Sequence, residues 1–231
     1  MKENQNKNLI QQLISSVGDN ALEWLQEKTK PYAELMTYYR CAIMEIETKL
    51  KVLDEEFSME FDRNPISSIK SRLKSPQSIR DKMVRKNLPF SLSAVEENLN
   101  DVAGIRVICP FPEDVYTIAD ALLKQDDITL IQKKNYIENP KPNGYRSLHI
   151  IVAIPIFLAH GKKIMKVEIQ LRTIAMDFWA TLEHQLRYKK NSVFTDEMAN
   201  ELYECAKISA SLDYRMENLR KTVDRNEKPT E

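Results

Sequence analysis

Glu168, Gln170 and Arg172 recur at every second position of Lys166-Val167-Glu168-Ile169-Gln170-Leu171-Arg172-Thr173, with Val167, Ile169 and Leu171 between them. Strand side chains alternate between two faces, so a carboxylate, an amide and a guanidinium share one face and three aliphatic groups share the other. Such a strand is either an ordinary solvent-facing strand or the polar floor of a site. A second stretch, Lys141-Pro142-Asn143-Gly144-Tyr145-Arg146-Ser147-Leu148-His149, favours the floor, because it brings a turn glycine, an aromatic ring, cations and an imidazole together.

Between Lys70 and Lys86 stand seven basic residues and one acid, Asp81. Lys70, Arg72 and Lys74 alternate on one strand face. Ser78, Lys82 and Arg85, at steps of four and three, share one face of the helix that follows, and Ile79 and Met83 mark the other. A helix N-terminus offers unpaired N–H groups to anions. The stretch reads as a polyphosphate cradle, a solvated basic face or a patch for RNA backbone. In Asn100-Asp101-Val102-Ala103-Gly104-Ile105-Arg106 an acid stands at the mouth of an apolar strand. Alone, Asp101 would cap a turn. With Glu168 on a neighbouring strand and a cationic cradle nearby, the pair suits Mg²⁺, which prefers oxygen and commonly takes one or two carboxylates plus phosphates.

Gly144 is one of only four glycines in the chain, and Asn143-Gly144 is a strong turn signal that delivers Tyr145 to a strand start. Tyr145 could stack on a base, worth roughly 1–3 kcal/mol, or lie in the core with a satisfied hydroxyl. His149 could bind phosphate or be an ordinary polar-face histidine. Phe178 and Trp179 read as core, and Glu183 as a structural partner for a basic side chain.

The elements needed to carry these groups follow from periodicity. Leu9, Leu13, Val17, Ala21 and Leu25 predict a helix to about Lys28, and Pro31 opens a longer one to about Phe57. Strands are predicted at 69–74, 102–110, 129–134, 145–157 and 162–173. Helices are predicted from Ser75-Pro76 to about Lys86, from Pro112 to about Lys124, from Ala175 to about Lys189, and over 196–220. In the last, Leu202, Cys205, Ser209, Leu212, Met216 and Leu219 form a coiled-coil-like stripe that packs on the core, builds a homo-oligomer, or both. The fold class is α+β: a mixed β-sheet of about five strands flanked by helices, with helical extensions at both ends. The expected division is 1–62, 63–190 and 191–231.

Hydrophobic residues make up 42% and charged residues 29% of the 231 residues, and the formal net charge is zero. Attraction of the whole molecule to nucleic acid or to an anionic membrane is therefore not indicated, and any charge effect is local. The three cysteines, Cys41, Cys109 and Cys205, have no zinc-like spacing and read as reduced thiols. No signal peptide is visible, and no apolar run reaches the ~18 residues of a membrane span. A cytoplasmic location is expected.

Taken in order, the segments containing Lys70–Ser75 with Ser78 and Arg85-Lys86, Asp101–Arg106, Asn143–His149, Glu168–Thr173 and Phe178-Trp179-Ala180 resemble the small alarmone synthetases, short relatives of the Rel/Spo enzymes. The wording of Lys141–Gly144 and Ala175–Trp179 is closer to the RelP branch than to RelQ. The resemblance implies a nucleotidyltransferase-like synthetase fold that forms homotetramers through terminal helices. It also implies transfer of the β,γ-pyrophosphate of ATP to the 3′-OH of GDP or GTP, a GTP diphosphokinase activity serving the stringent response. On that resemblance Arg72 and Arg106 sandwich adenine, and Lys74, Ser78, Lys82 and Arg85 hold the ATP phosphates. Asp101 and Glu168 bind Mg²⁺, and Glu168 draws the 3′-OH proton. Tyr145 stacks on guanine, Lys134, Lys141 and His149 meet the acceptor phosphates, and Asp177 lies by guanine. Lys134 replaces an arginine of a relative, and Asp177 replaces an asparagine of some relatives. None of the three histidines, His149, His160 and His184, precedes an aspartate. The His-Asp site with which larger relatives hydrolyse alarmone is therefore not expected, nor is an upstream hydrolase domain or a ribosome-sensing region.

Overall fold

A computed structural model describes residues 19–61, 63–187 and 194–227. Among the described residues the chain divides into two compact units, with the break between Tyr38 and Tyr39. Among the described residues the elements are α1 (Asp19–Phe61), β1 (Ser68–Leu73), α2 (Pro76–Arg85), α3 (Leu92–Asn98), β2 (Ala103–Cys109), α4 (Pro112–Leu123), β3 (Thr129–Asn135), β4 (Leu148–Leu158), β5 (Gly161–Thr173), α5 (Ile174–Arg187) and α6 (Asp196–Glu227). The five strands form one mixed sheet in the order β1-β2-β5-β4-β3. Only β2 and β5 run parallel; every other pair is antiparallel.

Register puts the polar residues in rows. Lys70 pairs with Arg106, Arg106 with Gln170, Gln170 with His149, and His149 with Lys134. One line across all five strands is thus polar. Two residues along, Arg72 pairs with Gly104, Gly104 with Glu168, and Glu168 with Ile151. Positions two apart share a face, so both rows line the same side of the sheet. The other side is apolar: Ile105, Val107, Ile150, Val152, Ile154, Val167, Ile169 and Leu171 are buried. Cys109 is buried with them, and burial pushes its thiol well above the usual range, the behaviour of a small hydrophobe.

Phe178, read as core, is 66% exposed beside the buried Trp179, and three expectations about helices change. Asp19–Phe61 is one helix with Pro31 inside it, not two helices with proline opening the second; the proposed start at Leu9 lies outside the described residues. Proline lacks the N–H that would reach back to Glu27, but helix-favouring residues flank it and the helix runs on. Helix α3 was not anticipated: seven residues are too few for a periodic signal, though Ser91 caps it by accepting from the Ala94 N–H at 3.2 Å. In α6 the expected stripe is split. Leu202 and Ser209 are half-buried, but Cys205, Leu212, Met216 and Leu219 are exposed. The residues that go inward with Leu202 and Ser209 are Ala206 and Asp213, each 5% exposed. A small residue allows close approach and an acid finds partners inside, so the inner face is not the most hydrophobic one.

A bulge in β3 matters for the site. Leu130 pairs with Val152, but Gln132, not Ile131, pairs with Ile151. The extra residue moves Gln132 and Lys134 to the polar face; in unbroken register both would turn to the other side.

Candidate active site

Glu168 stands where two cavities meet. One is lined by Lys70, Ser71, Arg72, Gly104, Ile105, Arg106, Glu168 and Gln170. The other is lined by Gln132, Lys134, Tyr136, Lys141, His149, Ile151 and Glu168. No other residue lines both. The first cavity opens because Gly104, between Arg72 and Glu168 in the register, carries no side chain.

On the first side, Asp101 lies just ahead of β2. Its Oδ2 accepts from Lys74 Nζ at 2.6 Å and is 2.7 Å from Lys82 Nζ, while Oδ1 is buried without a hydrogen-bond partner. Burial works to raise the Asp101 carboxyl, but the two ammonium groups outweigh it and hold the group below the ordinary carboxylate range. Helix α2 begins as its sequence predicts: Ser75 accepts from the Ser78 N–H at 3.2 Å and Pro76 follows in the first turn. Ser78 and Arg85 are exposed on this helix, and Ile79 and Met83 anchor its other face.

On the second side, Gly144 takes φ +86°. Its N–H donates to the Lys141 carbonyl at 2.8 Å, and Asn143 Oδ1 accepts from the Tyr145 N–H at 3.2 Å. The Asn143 amide donates to Glu183 at 3.2 Å, and Glu183 also pairs with Arg187, so the acid is a strut for the turn. Lys141 Nζ lies 4.8 Å from the Tyr136 ring centre and 4.7 Å from that of Tyr145.

The two sides are joined by a closed ring of polar side chains. Gln170 Nε2 donates to Glu168 Oε2 at 2.9 Å, and Arg172 Nη2 donates to Gln170 Oε1 at 2.9 Å. Arg172 Nη2 also donates to the Tyr145 hydroxyl at 2.6 Å, and that hydroxyl is 2.8 Å from His149 Nε2. His149 Nδ1 closes the ring 3.7 Å from Glu168 Oε1. Burial pushes the Glu168 carboxyl up and Asp101 adds repulsion, yet His149 and Gln170 hold it below its ordinary value. Asp177, in the first turn of α5, lies 3.2 Å from Arg172, 3.3 Å from Arg106 and 3.7 Å from Lys70. It therefore links the first cavity to the support of Tyr145.

The residues singled out from sequence thus fall into two adjoining groups, except that Ser78 and Arg85 stay exposed on α2 and line neither cavity. Arg72, Ser78, Lys82, Arg85 and Arg106 belong to β1, α2 and β2, with Lys74 just after β1 and Asp101 just ahead of β2; Lys134, Lys141, Tyr145 and His149 belong to β3, β4 and the turn before it. Three contributors were not assigned a role: Gln170 and Arg172, signalled by the alternation in β5, and Tyr136, which no local pattern marked. Among the described residues there is no cluster of three or more metal-binding side chains. Two acids are nonetheless enough for a cation that also takes phosphate oxygens, and the partnerless Asp101 Oδ1 fits a hard, oxygen-seeking ion.

Two basic cavities meeting at one carboxylate fit a transferase of phosphorylated nucleotides. Residues 71–193 match the family described as the region found in RelA/SpoT proteins. The GTP pyrophosphokinase YwaC of Bacillus subtilis is 41% identical over 186 residues, 80% of this chain and 89% of the relative. The solved small alarmone synthetase 1 of Bacillus subtilis bound to its product pppGpp superposes with a TM-score of 0.76 at 34% identity, covering 84% of this chain and 98% of the other. The same enzyme bound to AMPCPP gives a TM-score of 0.72 at 33% identity, covering 85% and 99%. The chain belongs to the RelA/SpoT family and is similar to the small alarmone synthetases.

Proposed function

We propose that this chain is a (p)ppGpp synthetase that transfers the β,γ-pyrophosphate of ATP to the 3′-OH of GDP or GTP, giving ppGpp or pppGpp and AMP. The observation that carries the reading is Glu168, the one side chain that borders both cavities. An acid at that junction can meet a donor phosphate and an acceptor hydroxyl together.

The cavity bounded by Arg72 and Arg106 takes the adenine of ATP, and Lys74, Ser78, Lys82 and Arg85 take its phosphates. The cavity beside Tyr145 takes the guanine nucleotide: Tyr145 stacks on the base, Lys134, Lys141 and His149 meet the phosphates, and Asp177 stands near the base. The acceptor 3′-oxygen attacks the β-phosphorus of ATP, the bond from that phosphorus to the α,β-bridging oxygen breaks, and AMP leaves. Glu168, kept ionised by its neighbours, takes the 3′-OH proton. Catalysis of this kind is mainly positioning and charge stabilisation, which the cations around the two cavities supply. Asp101 and Glu168 would hold Mg²⁺, which supplies charge neutralisation on the phosphates when bound.

We take the synthetase domain as 63–190, with helical segments 1–62 and 191–231, and read its wording as nearer RelP than RelQ. Among the described residues no helix is long and apolar enough to cross a membrane, and the protein works in the cytoplasm. Ile208, Leu212, Met216, Leu219 and Val223 make an exposed apolar stripe along α6, which supports assembly into a homotetramer. Binding of RNA is not indicated by the zero net charge.

The test is an incubation with ATP, Mg²⁺ and labelled GDP or GTP, resolved by anion exchange. AMP and a guanosine carrying a 3′-pyrophosphate are expected. Release of pyrophosphate would mean nucleotidyl transfer instead, and binding without any product would mean a non-catalytic nucleotide-binding protein. Dependence on Mg²⁺, with loss in EDTA, checks the cation.

A further inference from the structure

Helix α6 presents its inner face to the acceptor half of the site. At 202, 206, 209 and 213, steps of four, three and four, every contact reaches α5, the Gly144 turn or the end of β5. Trp179 Nε1 donates to the Leu202 carbonyl at 2.8 Å, and Ser209 Oγ donates to the Ala175 carbonyl at 3.1 Å. Ala206 packs with Trp179 and Ala180, and Tyr145 rests against that cluster. At Gly144, a Cβ would fall 2.5 Å from Ala206 Cβ.

The deepest contact is polar. Asp213 is 5% exposed, and its Oδ2 accepts from the Thr173 hydroxyl at 2.8 Å and lies 3.4 Å from Arg146 Nη1. Thr173 Oγ1 in turn accepts from the Met176 N–H at 3.1 Å, capping α5 where Asp177 begins its contacts with Arg172 and Arg106. Arg146 directly follows Tyr145. One carboxylate therefore ties the strand end after Arg172 to the segment that carries Tyr145. Burial pushes this carboxyl above its ordinary value, so its charge is kept at a cost that a purely apolar contact would avoid.

We propose that Asp213 is a positioning residue for the acceptor nucleotide: by gripping Arg146 and the Thr173 turn together, it fixes Tyr145 and Arg172 in their binding arrangement. This rests on the acceptor assignment above. The donor group around Lys74, Lys82 and Asp101 makes none of the α6 contacts described, and only Asp177 reaches the first cavity, through Arg106 and Lys70, so the effect falls mainly on the acceptor.

The test is steady-state synthesis with ATP and GDP varied separately, alongside calorimetric titration of GDP alone. Asp213→Asn keeps an acceptor for Thr173 but removes the charge facing Arg146. Its KM for GDP rises about tenfold, the scale of one charge-assisted hydrogen bond. The ATP KM stays within about twofold, and calorimetry shows a matching loss of GDP affinity. Thr173→Val gives the same split, and Thr173→Ser, which keeps the hydroxyl, restores wild-type values. An unchanged GDP KM, or equal rises in both KM values, overturns the proposal. Should Asp213→Asn fail to fold by circular dichroism, the Thr173→Val and Thr173→Ser pair decides by the same split. If the wild-type protein forms no product, the synthetase reading fails separately, and GDP titration still decides the role of Asp213.

Discussion

Replacing Gly144 by alanine probes the joint between the acceptor turn and α6. Two costs are expected. The backbone at φ +86° is one that L side chains avoid, at about 1–2 kcal/mol. The new methyl would lie 2.5 Å from Ala206 Cβ, where carbon atoms settle at about 3.5–4.0 Å, so helix or turn must move by about 1 Å. Overpacking of that kind costs about 1–3 kcal/mol. The sum, about 2–5 kcal/mol, is a large part of the ~5–15 kcal/mol that holds a domain folded. Urea unfolding followed by circular dichroism measures it. The two costs separate in a double variant. Ala206→Gly alone loses about 1 kcal/mol of helix preference, but combined with Gly144→Ala it removes the collision. The pair should therefore be less unstable than the sum of the singles by about 1–3 kcal/mol. A Gly144→Ala protein destabilised by less than about 1 kcal/mol, or strictly additive effects, would refute both the contact and the strain.

Further outcomes are expected from the same geometry. Glu168→Gln, close in shape, abolishes alarmone synthesis while the melting temperature stays near wild type; normal turnover with Mg²⁺ present removes the base assignment. Asp177→Asn takes the counter-charge from Arg172, Arg106 and Lys70 and costs about 3 kcal/mol, as for a broken buried pair, measured by urea titration. Asp101 and Glu168 both have depressed folded-state values. Their stabilising contribution is present above the ordinary carboxylate range and is lost as pH falls through those lower values. Acid unfolding of Asp101→Asn should accordingly show a shallower loss of stability below about pH 4 than wild type.

The sheet was readable because β2 is a bounded apolar run and β5 alternates strictly, and the start of α2 was readable because Ser75-Pro76 names its own cap. Asp101, Glu168, Tyr145 and His149 were legible for the same reason: each sits at a strand end or on an alternating face. What stayed hidden depends on neighbours distant in the chain. The bulge that turns Lys134 toward the site is a property of β3 against β4, with no local mark in Thr129–Asn135. The inner face of α6 is set by Gly144, Thr173 and Arg146, so hydrophobicity pointed to Leu212 and Leu219 while Ala206 and Asp213 went in. Tyr136 earns its place only once Lys141 folds back over its ring.

The placement of Glu168 on the shared wall constrains how such a molecule can diverge. Any replacement there disturbs both cavities at once, so selectivity in one cannot be adjusted from the centre. The freedom lies at the margins of the sheet, where β1 touches only the first cavity and β3 only the second. On the proposed assignment of the two cavities, variation along Thr129–Asn135 can reshape the choice between a diphosphate and a triphosphate acceptor without altering how the donor is gripped.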